Sequence, residues 1–293
     1  MKQIVVLSGK GGTGKTTVVG SFAALAEDSV LADCDVDAAD LHLLLSPTQE
    51  HMGDFTGALN PVIDASRCTG CGVCVEHCVF DALELDAHET LRLAPFACEG
   101  CGLCARVCPT DAIQMLRTLA GHWFVSDTRF GPLVHAKLGV AEENSGKLVT
   151  LVRNRAAEIV AERGAQWLLI DGSPGIGCPV IASMAGADAV LIVTEPTLSG
   201  QSDLRRIAAL AAQFDIAAYV CVNKWDINAD LARAVEAECS TDGLQFVGRV
   251  PYDPDVPRSI IQGRPLVEAS DGPAATAVRN VWTALAAKLN AAD

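Results

Sequence analysis

The chain has 293 residues, with 36 acidic against 22 basic side chains, a formal charge of −14, and half of its residues are apolar. That length allows about two domains with a sizeable core, and the composition excludes a disordered chain. The acidity argues against broad, salt-dependent binding to nucleic acid or to an anionic membrane, which requires a basic face. The longest apolar run, Ile216 to Val222, has strand length, far short of the ~20 residues of a membrane span. The N-terminal apolar stretch Ile4 to Leu7 reaches glycines too soon for a signal peptide, so a cytoplasmic location is expected. Twelve cysteines are unusual in that compartment, and eight of them lie between Cys68 and Cys108.

In chain order, residues 3–7 read as a buried strand, followed by a glycine-rich turn and a helix from about Thr16 to Glu27. Val30 to Ala32 is a short strand ending in the acidic run Asp33-Cys34-Asp35-Val36-Asp37. Residues 61–116 break the pattern. They carry 8 acids against 3 bases and an internal repeat, Cys68–Leu83 against Cys98–Ile113, with 8 of 16 positions identical. His122–Thr128 and Leu133–Leu138 are weaker strand candidates. Lys147 to Arg163 has helical apolar spacing with Gly164 to stop it. Strands follow at Trp167–Ile170, Ala189–Val193, Ala217–Val222 and Gln245–Val250, with helices between them. Continuous apolar strands alternating with helices imply a doubly wound parallel α/β sheet with its ligand at the carboxyl ends of the strands. The expected organisation is a host domain over 1–60 and 117–293, interrupted by a guest domain over 61–116.

Gly9-Lys10-Gly11-Gly12-Thr13-Gly14-Lys15-Thr16 fits the phosphate-binding pattern G-x-x-x-x-G-K-[ST] between a strand and a helix. The glycines let backbone amides turn around phosphate oxygens, Lys15 reaches the β- and γ-phosphates, and the Thr16 hydroxyl ligates Mg²⁺. Thr17 belongs to the same nucleotide-binding segment.

With Lys10 included, the loop resembles the deviant Walker A motif of the MinD, ParA, Mrp and nitrogenase iron-protein group. That resemblance implies that Lys10 acts across an ATP-induced homodimer interface, as an arginine finger does, a role worth roughly 10³–10⁵ in rate. It also implies that Asp35, with Asp33 and Asp40 nearby, is the switch I aspartate that positions the attacking water. Asp171 takes the Walker B position, holding Mg²⁺ through water, and Asp171 to Gly177 is switch II. Asn223-Lys224-Trp225-Asp226 follows a strand where the base should bind. Alone, it fits the guanine-reading motif of GTPases. The deviant loop points instead to ATP, with Asn223 and Lys224 at the base and Pro251-Tyr252-Asp253 beside the ring.

The two cysteine runs, Cys68-x₂-Cys71-x₂-Cys74-x₃-Cys78 and Cys98-x₂-Cys101-x₂-Cys104-x₃-Cys108-Pro109, match the bacterial ferredoxin spacing, in which the fourth Cys of each run ligates the other [4Fe–4S] cluster. The expected ligands are Cys68, Cys71, Cys74 and Cys108 for one cluster and Cys98, Cys101, Cys104 and Cys78 for the other. Zinc and disulfides fit this spacing and compartment poorly. Val79 stands where the second run has Pro109.

The whole chain thus resembles MinD-superfamily ATPases carrying an inserted α+β, ferredoxin-like domain. The resemblance implies one of three functions: ATP-gated electron transfer to a redox partner, iron–sulfur cluster delivery, or MinD/ParA-like positioning. The closed four-thiolate sets favour the first. Cys178 reads as a buried or interfacial free thiol, Cys34, Cys221 and Cys239 as small core residues, and His77, His88, His122 and His135 as carrying no metal role. The C-terminal helix, Ala274 to Leu289, has too few basic residues for a membrane anchor and is expected to pack on the host. Glu142 to Lys147 is read as starting the helix that follows.

Overall fold

The computed structural model describes residues 1–94, 97–139 and 145–291. The first part of the helix start expected at Glu142, residues 142–144, lies outside them. Among the described residues there are eleven strands: β1 (Lys2–Leu7), β2 (Ser29–Asp33), β3 (Thr48–Ile63), β4 (Leu83–Leu85), β5 (Leu91–Leu93), β6 (Ile113–Thr128), β7 (Gly131–Leu138), β8 (Trp167–Asp171), β9 (Ala189–Thr194), β10 (Ala217–Asn223) and β11 (Gln245–Val250). Nine form one sheet in the order β11-β10-β9-β1-β8-β2-β7-β6-β3.

From β11 to β7 the neighbours pair parallel, as continuous apolar strands joined by helical crossovers require. Beyond β7 the direction changes. β6 and β7 are joined by only Arg129 and Phe130, a connection available to antiparallel strands alone. Between β3 and β6, Asn60 bonds Thr118 while Asp54 bonds His122, so one index rises as the other falls. The sheet is therefore mixed, where the sequence pattern predicts an all-parallel one. Gly53, Gly57 and Pro61 punctuate β3 as a loop would be punctuated, and cross-strand pairing overrides that local signal.

The described chain packs as two compact units. The first holds Met1–Met52, Trp123–Lys137 and the chain from Ser145 onward; the second holds Gly53–His122 with residues 138–139. β3 and β6 each begin in one unit and end in the other, so the second unit extends beyond the expected 61–116.

In the first unit, alternate strand residues bury on opposite faces of the sheet. Ile4, Val6, Leu31, Leu169, Leu191 and Cys221 share a cluster with Val18, Val19 and Phe22 of the helix Lys15–Leu25. Val278, Val281, Leu285 and Leu289 of the C-terminal helix Pro273–Asn290 complete it. Trp282 is tilted against Phe22 at 5.0 Å and stands edge-on to Trp167 at 5.1 Å. The C-terminal helix thus spends its apolar stripe on the core. The alternate set Val5, Leu7, Val30, Leu168, Ile170, Val190 and Val220 is also buried. No described helix is long and apolar enough to cross a membrane. Cys34, Cys221 and Cys239 are buried, and burial pushes the Cys221 thiol up to about 12 and the Cys239 thiol to about 11.

In the second unit, the duplicated sequence folds twice in the same way. Gly70 and Gly100 both have φ 66, and Gly72 and Gly102, with φ 76 and 75, precede the short helices Val73–Glu76 and Leu103–Val107. β4 and β5 pair antiparallel, and Cys74, Leu83, Leu91 and Ile113 form a small core.

Candidate functional site

β1 ends at Leu7, and the glycine-rich loop leads directly into the helix Lys15–Leu25. Gly14, the residue before that helix, has φ 93, and a Cβ there would lie 2.4 Å from Asn223 Nδ2. Both facts demand glycine. The helix N-terminus adds its partial positive charge to the loop amides.

Lys15 is buried and donates to Asp171 Oδ1 at 2.7 Å, with Asp35 Oδ2 at 3.6 Å. Burial alone would lower the lysine pKa, but Asp171, Asp35 and Asp33 outweigh it and the net shift is upward. The carboxylates converge because β2 and β8 are neighbours in register, with Asp33 opposite Asp171 at their carboxyl ends. Asp33 Oδ1 accepts from the Asp35 amide and Oδ2 from the Leu41 amide, both at 3.1 Å. Burial, reinforced by Asp171, raises the Asp33 pKa well above the carboxylate range. Burial likewise raises that of Asp35, with Lys15 opposing. Asp171 Oδ2 is buried and has no hydrogen-bond partner among the described residues. One lysine facing three carboxylates, one of them with an orphan oxygen, is a donor set suited to a hard divalent cation.

Above this polar floor opens a cleft of about 650 Å³, the size of a small-molecule site. Lys10 to Thr17, Asp35, Asn223, Lys224, Pro251 and Asp253 all line it. Of the expected residues, Gly9 and Asp171 do not. Gly9 backs onto the Asp203 side chain, where a Cβ would overlap at 2.0 Å. Leu43, Leu44, Tyr252, Val256 and Ile260 supply an apolar wall that the sequence did not single out, apart from Tyr252.

Asn223 Nδ2 donates to Thr13 O at 2.7 Å, and its Oδ1 accepts from the Lys224 amide at 2.9 Å. The residue therefore ties the loop to the end of β10. Asp253 accepts from the amides of Asp255 and Ala274, at 2.9 and 3.2 Å. It joins two helix starts besides lining the cleft. Asp226 Oδ1 accepts from the Tyr252 amide at 2.7 Å, and the residue is not among those lining the cleft. Ser173 Oγ donates to Cys34 O at 2.6 Å and the Gly175 amide to Ser8 O at 2.9 Å, linking the loop after β8 to the segments after β2 and β1.

Lys10 Nζ lies 3.0 Å from Glu195 Oε2, and Lys224 Nζ lies 2.6 Å from Glu195 Oε1. Sequence reasoning missed Glu195. Its one signal was position, since it follows β9 at the carboxyl edge where ligands of such sheets bind.

In the second unit all eight clustered thiols are free. They line two cavities. One is bounded by Cys68, Cys71 and Cys74 of the first repeat with Cys108 of the second. The other is bounded by Cys98, Cys101 and Cys104 with Cys78. Backbone amides point at the sulfurs: Ala82 at Cys78 (3.4 Å), Gly100 at Cys98 (3.4 Å) and Ala112 at Cys108 (3.2 Å). No group of three or more His, Cys, Asp or Glu among the described residues is arranged to hold a single metal ion. Cys178 is exposed at the start of the helix Cys178–Met184.

A largely parallel sheet with a Gly-x₄-Gly-Lys-Thr loop after its first strand defines a P-loop nucleotide-binding protein. The model of the CobQ/CobB/MinD/ParA nucleotide binding domain matches residues 4–266, and the chain belongs to that family. An uncharacterized protein of Methanocaldococcus jannaschii is 32% identical over 261 residues, 88% of this chain and 87% of that one. The cytosolic Fe-S cluster assembly factor NBP35 of Eremothecium gossypii is 28% identical over 137 residues, 41% of each chain. The septum site-determining protein MinD of Pyrococcus horikoshii, solved complexed with Mg-ADP, has a TM-score of 0.59 at 15% identity, covering 97% of this chain and 95% of that one. That likeness shows a shared fold.

Proposed function

We propose that the protein is a Mg²⁺-dependent ATPase in which nucleotide turnover gates electron transfer through two [4Fe–4S] clusters to a partner protein. The observation that carries this reading is the composition of the two thiol cavities, each taking three cysteines from one repeat and the fourth from the other. That is the interleaved ligand set of two-cluster ferredoxins. A cube gives each thiolate its own iron, so thiols spread around a cavity suit it where they do not suit a single ion. Amides directed at the sulfurs stabilise negative charge on them and tune the potential. When bound, the clusters supply one-electron transfer.

In the nucleotide cleft, Lys15 would exchange Asp171 for the β- and γ-phosphates, and Thr16 and Asp171 would hold Mg²⁺, which would neutralise phosphate charge. Asp35 orients the attacking water, and Lys10 reaches the nucleotide of a second copy in an ATP-bound homodimer. The apolar wall around Tyr252 and Ile260 takes the adenine. Loss of the γ-phosphate frees the loops at Asp35 and Gly172–Gly177. About twenty residues of chain separate Asp33 from Gly53, where the second unit begins. Moving such a unit from 1:99 to 99:1 requires a roughly 10⁴-fold preference of ATP for one state, about 5.5 kcal/mol.

A second reading, cluster assembly or delivery, is favoured by the similarity to the Eremothecium gossypii assembly factor. The MinD-like solved structures lean towards a third, positioning reading, but they speak for the fold. Closed four-thiolate sites retain their contents, which favours electron transfer over delivery. Anaerobic cluster titration with and without Mg-ATP, in the presence of an iron chelator, distinguishes them. The expected result is an ATP-dependent potential or partner-reduction rate with the iron retained. ATP-dependent loss of iron to an apo-acceptor, at unchanged potential, would overturn the proposal in favour of delivery.

A further inference from the structure

We infer that the Thr110 hydroxyl raises the reduction potential of the cluster held by Cys68, Cys71, Cys74 and Cys108, through a hydrogen bond to the Cys108 sulfur that has no counterpart at Cys78. This inference rests on the reading of the two thiol cavities as [4Fe–4S] sites. The duplicated sequence supplies its own comparison. Cys108 to Ala112 and Cys78 to Ala82 build the same turn: the Asp111 amide donates to Cys108 O and the Asp81 amide to Cys78 O, both at 3.3 Å. The two aspartates share a left-handed backbone, with φ 48 and 50. The next amide, of Ala112 or Ala82, points at the cysteine sulfur, at 3.2 and 3.4 Å. Within this shared frame the side chain two residues after the cysteine differs. Thr110 places its Oγ1 3.7 Å from Cys108 Sγ, whereas Phe80, at the matching place, carries no donor. Each residue lines the cavity that its neighbouring cysteine bounds.

The direction follows from charge. A ligating cysteine is a thiolate without a proton, so at the contact between Cys108 and Thr110 only the hydroxyl can donate. Reduction by a low-potential one-electron donor, itself oxidised by one electron, adds one negative charge that the ligand sulfurs share. A hydrogen bond to such a sulfur stabilises the more negative, reduced form more than the oxidised one, and the potential rises. A neutral hydroxyl at 3.7 Å from sulfur makes a weak bond, so its effect is a bias and not a switch. The Gly100 amide gives Cys98, in the other cavity, a contact of its own at 3.4 Å. Thr110 therefore contributes one share of the difference between the two clusters and does not alone set their order. Its share favours an electron resting on the Cys108 side, which biases the direction in which the pair passes charge.

The test is a redox titration of the full, anaerobically purified chain with titanium(III) citrate. Electron paramagnetic resonance follows the two one-electron waves, and iron is counted per chain. Thr110→Val keeps nearly the same shape and removes the hydroxyl. It should lower one wave by about threefold to tenfold in the reduction equilibrium, which is about 28 to 59 mV for one electron, and leave the other in place. Thr110→Ser should hold the wild-type value. In the first repeat, Phe80→Thr should raise the wave that Thr110→Val leaves unmoved, relative to Phe80→Val; both variants shed the ring, so the comparison isolates the hydroxyl. Waves that stay fixed in Thr110→Val, or that move together, would overturn the inference. So would a Thr110→Ser protein that behaves like Thr110→Val. If Thr110→Val loses iron, the two Phe80 variants decide, and equal potentials in them reject the role of the hydroxyl. A wild type that binds no iron removes the cluster reading itself, and this inference with it. A wild type with about eight irons per chain and waves indifferent to Thr110 removes the inference alone.

Discussion

Lys15 Nζ donates to Asp171 Oδ1 across 2.7 Å of buried space, and the second oxygen of that carboxylate has no described partner. The buried lysine at the start of the first helix and the aspartate that ends β8 neutralise each other. On the proposed function, Mg-nucleotide binding would replace this pair with pairs to phosphate and to the cation.

Removing the lysine should consequently damage the empty protein as well as the liganded one. Lys15→Ala leaves Asp33, Asp35 and Asp171 facing one another, and breaking a buried pair from one side costs on the order of 3 kcal/mol. All four tryptophans lie in the first unit, so urea denaturation followed by tryptophan fluorescence reads that unit. The same variant should lose Mg-ATP affinity, whereas Lys10→Ala should lose turnover more than binding. A Lys15→Ala protein of wild-type stability would contradict this account of the floor of the cleft.

The interleaved thiols give a pairwise test. Cys78→Ser and Cys98→Ser each act on the cavity they share, so either variant, and the double variant, should drop from about eight irons per chain to about four. Cys78→Ser with Cys68→Ser should remove both clusters. If each cluster drew all its ligands from one repeat, the two double variants would give the opposite pattern. Iron and sulfide analysis with electron paramagnetic resonance separates the cases.

Base selection should not depend on Asp226. Its carboxylate accepts from the Tyr252 amide and is not presented to the cleft. Asp226→Ala should leave the preference for ATP over GTP within about threefold, whereas a guanine-reading aspartate would cost GTP affinity on the order of 10⁴-fold. Competition binding with both nucleotides decides.

Acid sensitivity should have a contribution from His135. Burial, and then the neighbouring His42, lowers its pKa from 6.5 to about 4. The ring also accepts or donates at Ser126 Oγ, at 3.0 Å, and stacks on Phe124. A base whose folded pKa is depressed binds fewer protons folded than unfolded between those values. Its stabilising effect is complete above pH 6.5 and is lost as pH falls towards 4, by up to about 3 kcal/mol. Asp33 and Asp35, with raised pKa values, act in the opposite sense. The measurement is therefore the difference between wild type and His135→Gln in urea at pH 7 and pH 5. The wild type should lose more stability than the variant on acidification, and an equal loss would exclude His135 as the group responsible.

What the sequence determined by itself was chemistry held in contiguous runs. The loop from Gly9 to Thr16 and the two cysteine runs are short enough that spacing alone constrains which atoms can converge. The same holds for the buried strands, whose unbroken apolar character announces a sheet covered on both faces. Tertiary structure decided whatever depends on pairing at a distance. Asp33 meets Asp171 because β2 and β8 lie in register, and no local pattern states that register. Lys10 meets Glu195 because β1 and β9 are adjacent. The edge strand β3 and the part of its neighbour β6 before His122 were illegible for the same reason. Their glycines, proline and mixed polarity read as loop, and only hydrogen bonds to a neighbouring strand make an extended conformation the lower-energy choice for such residues.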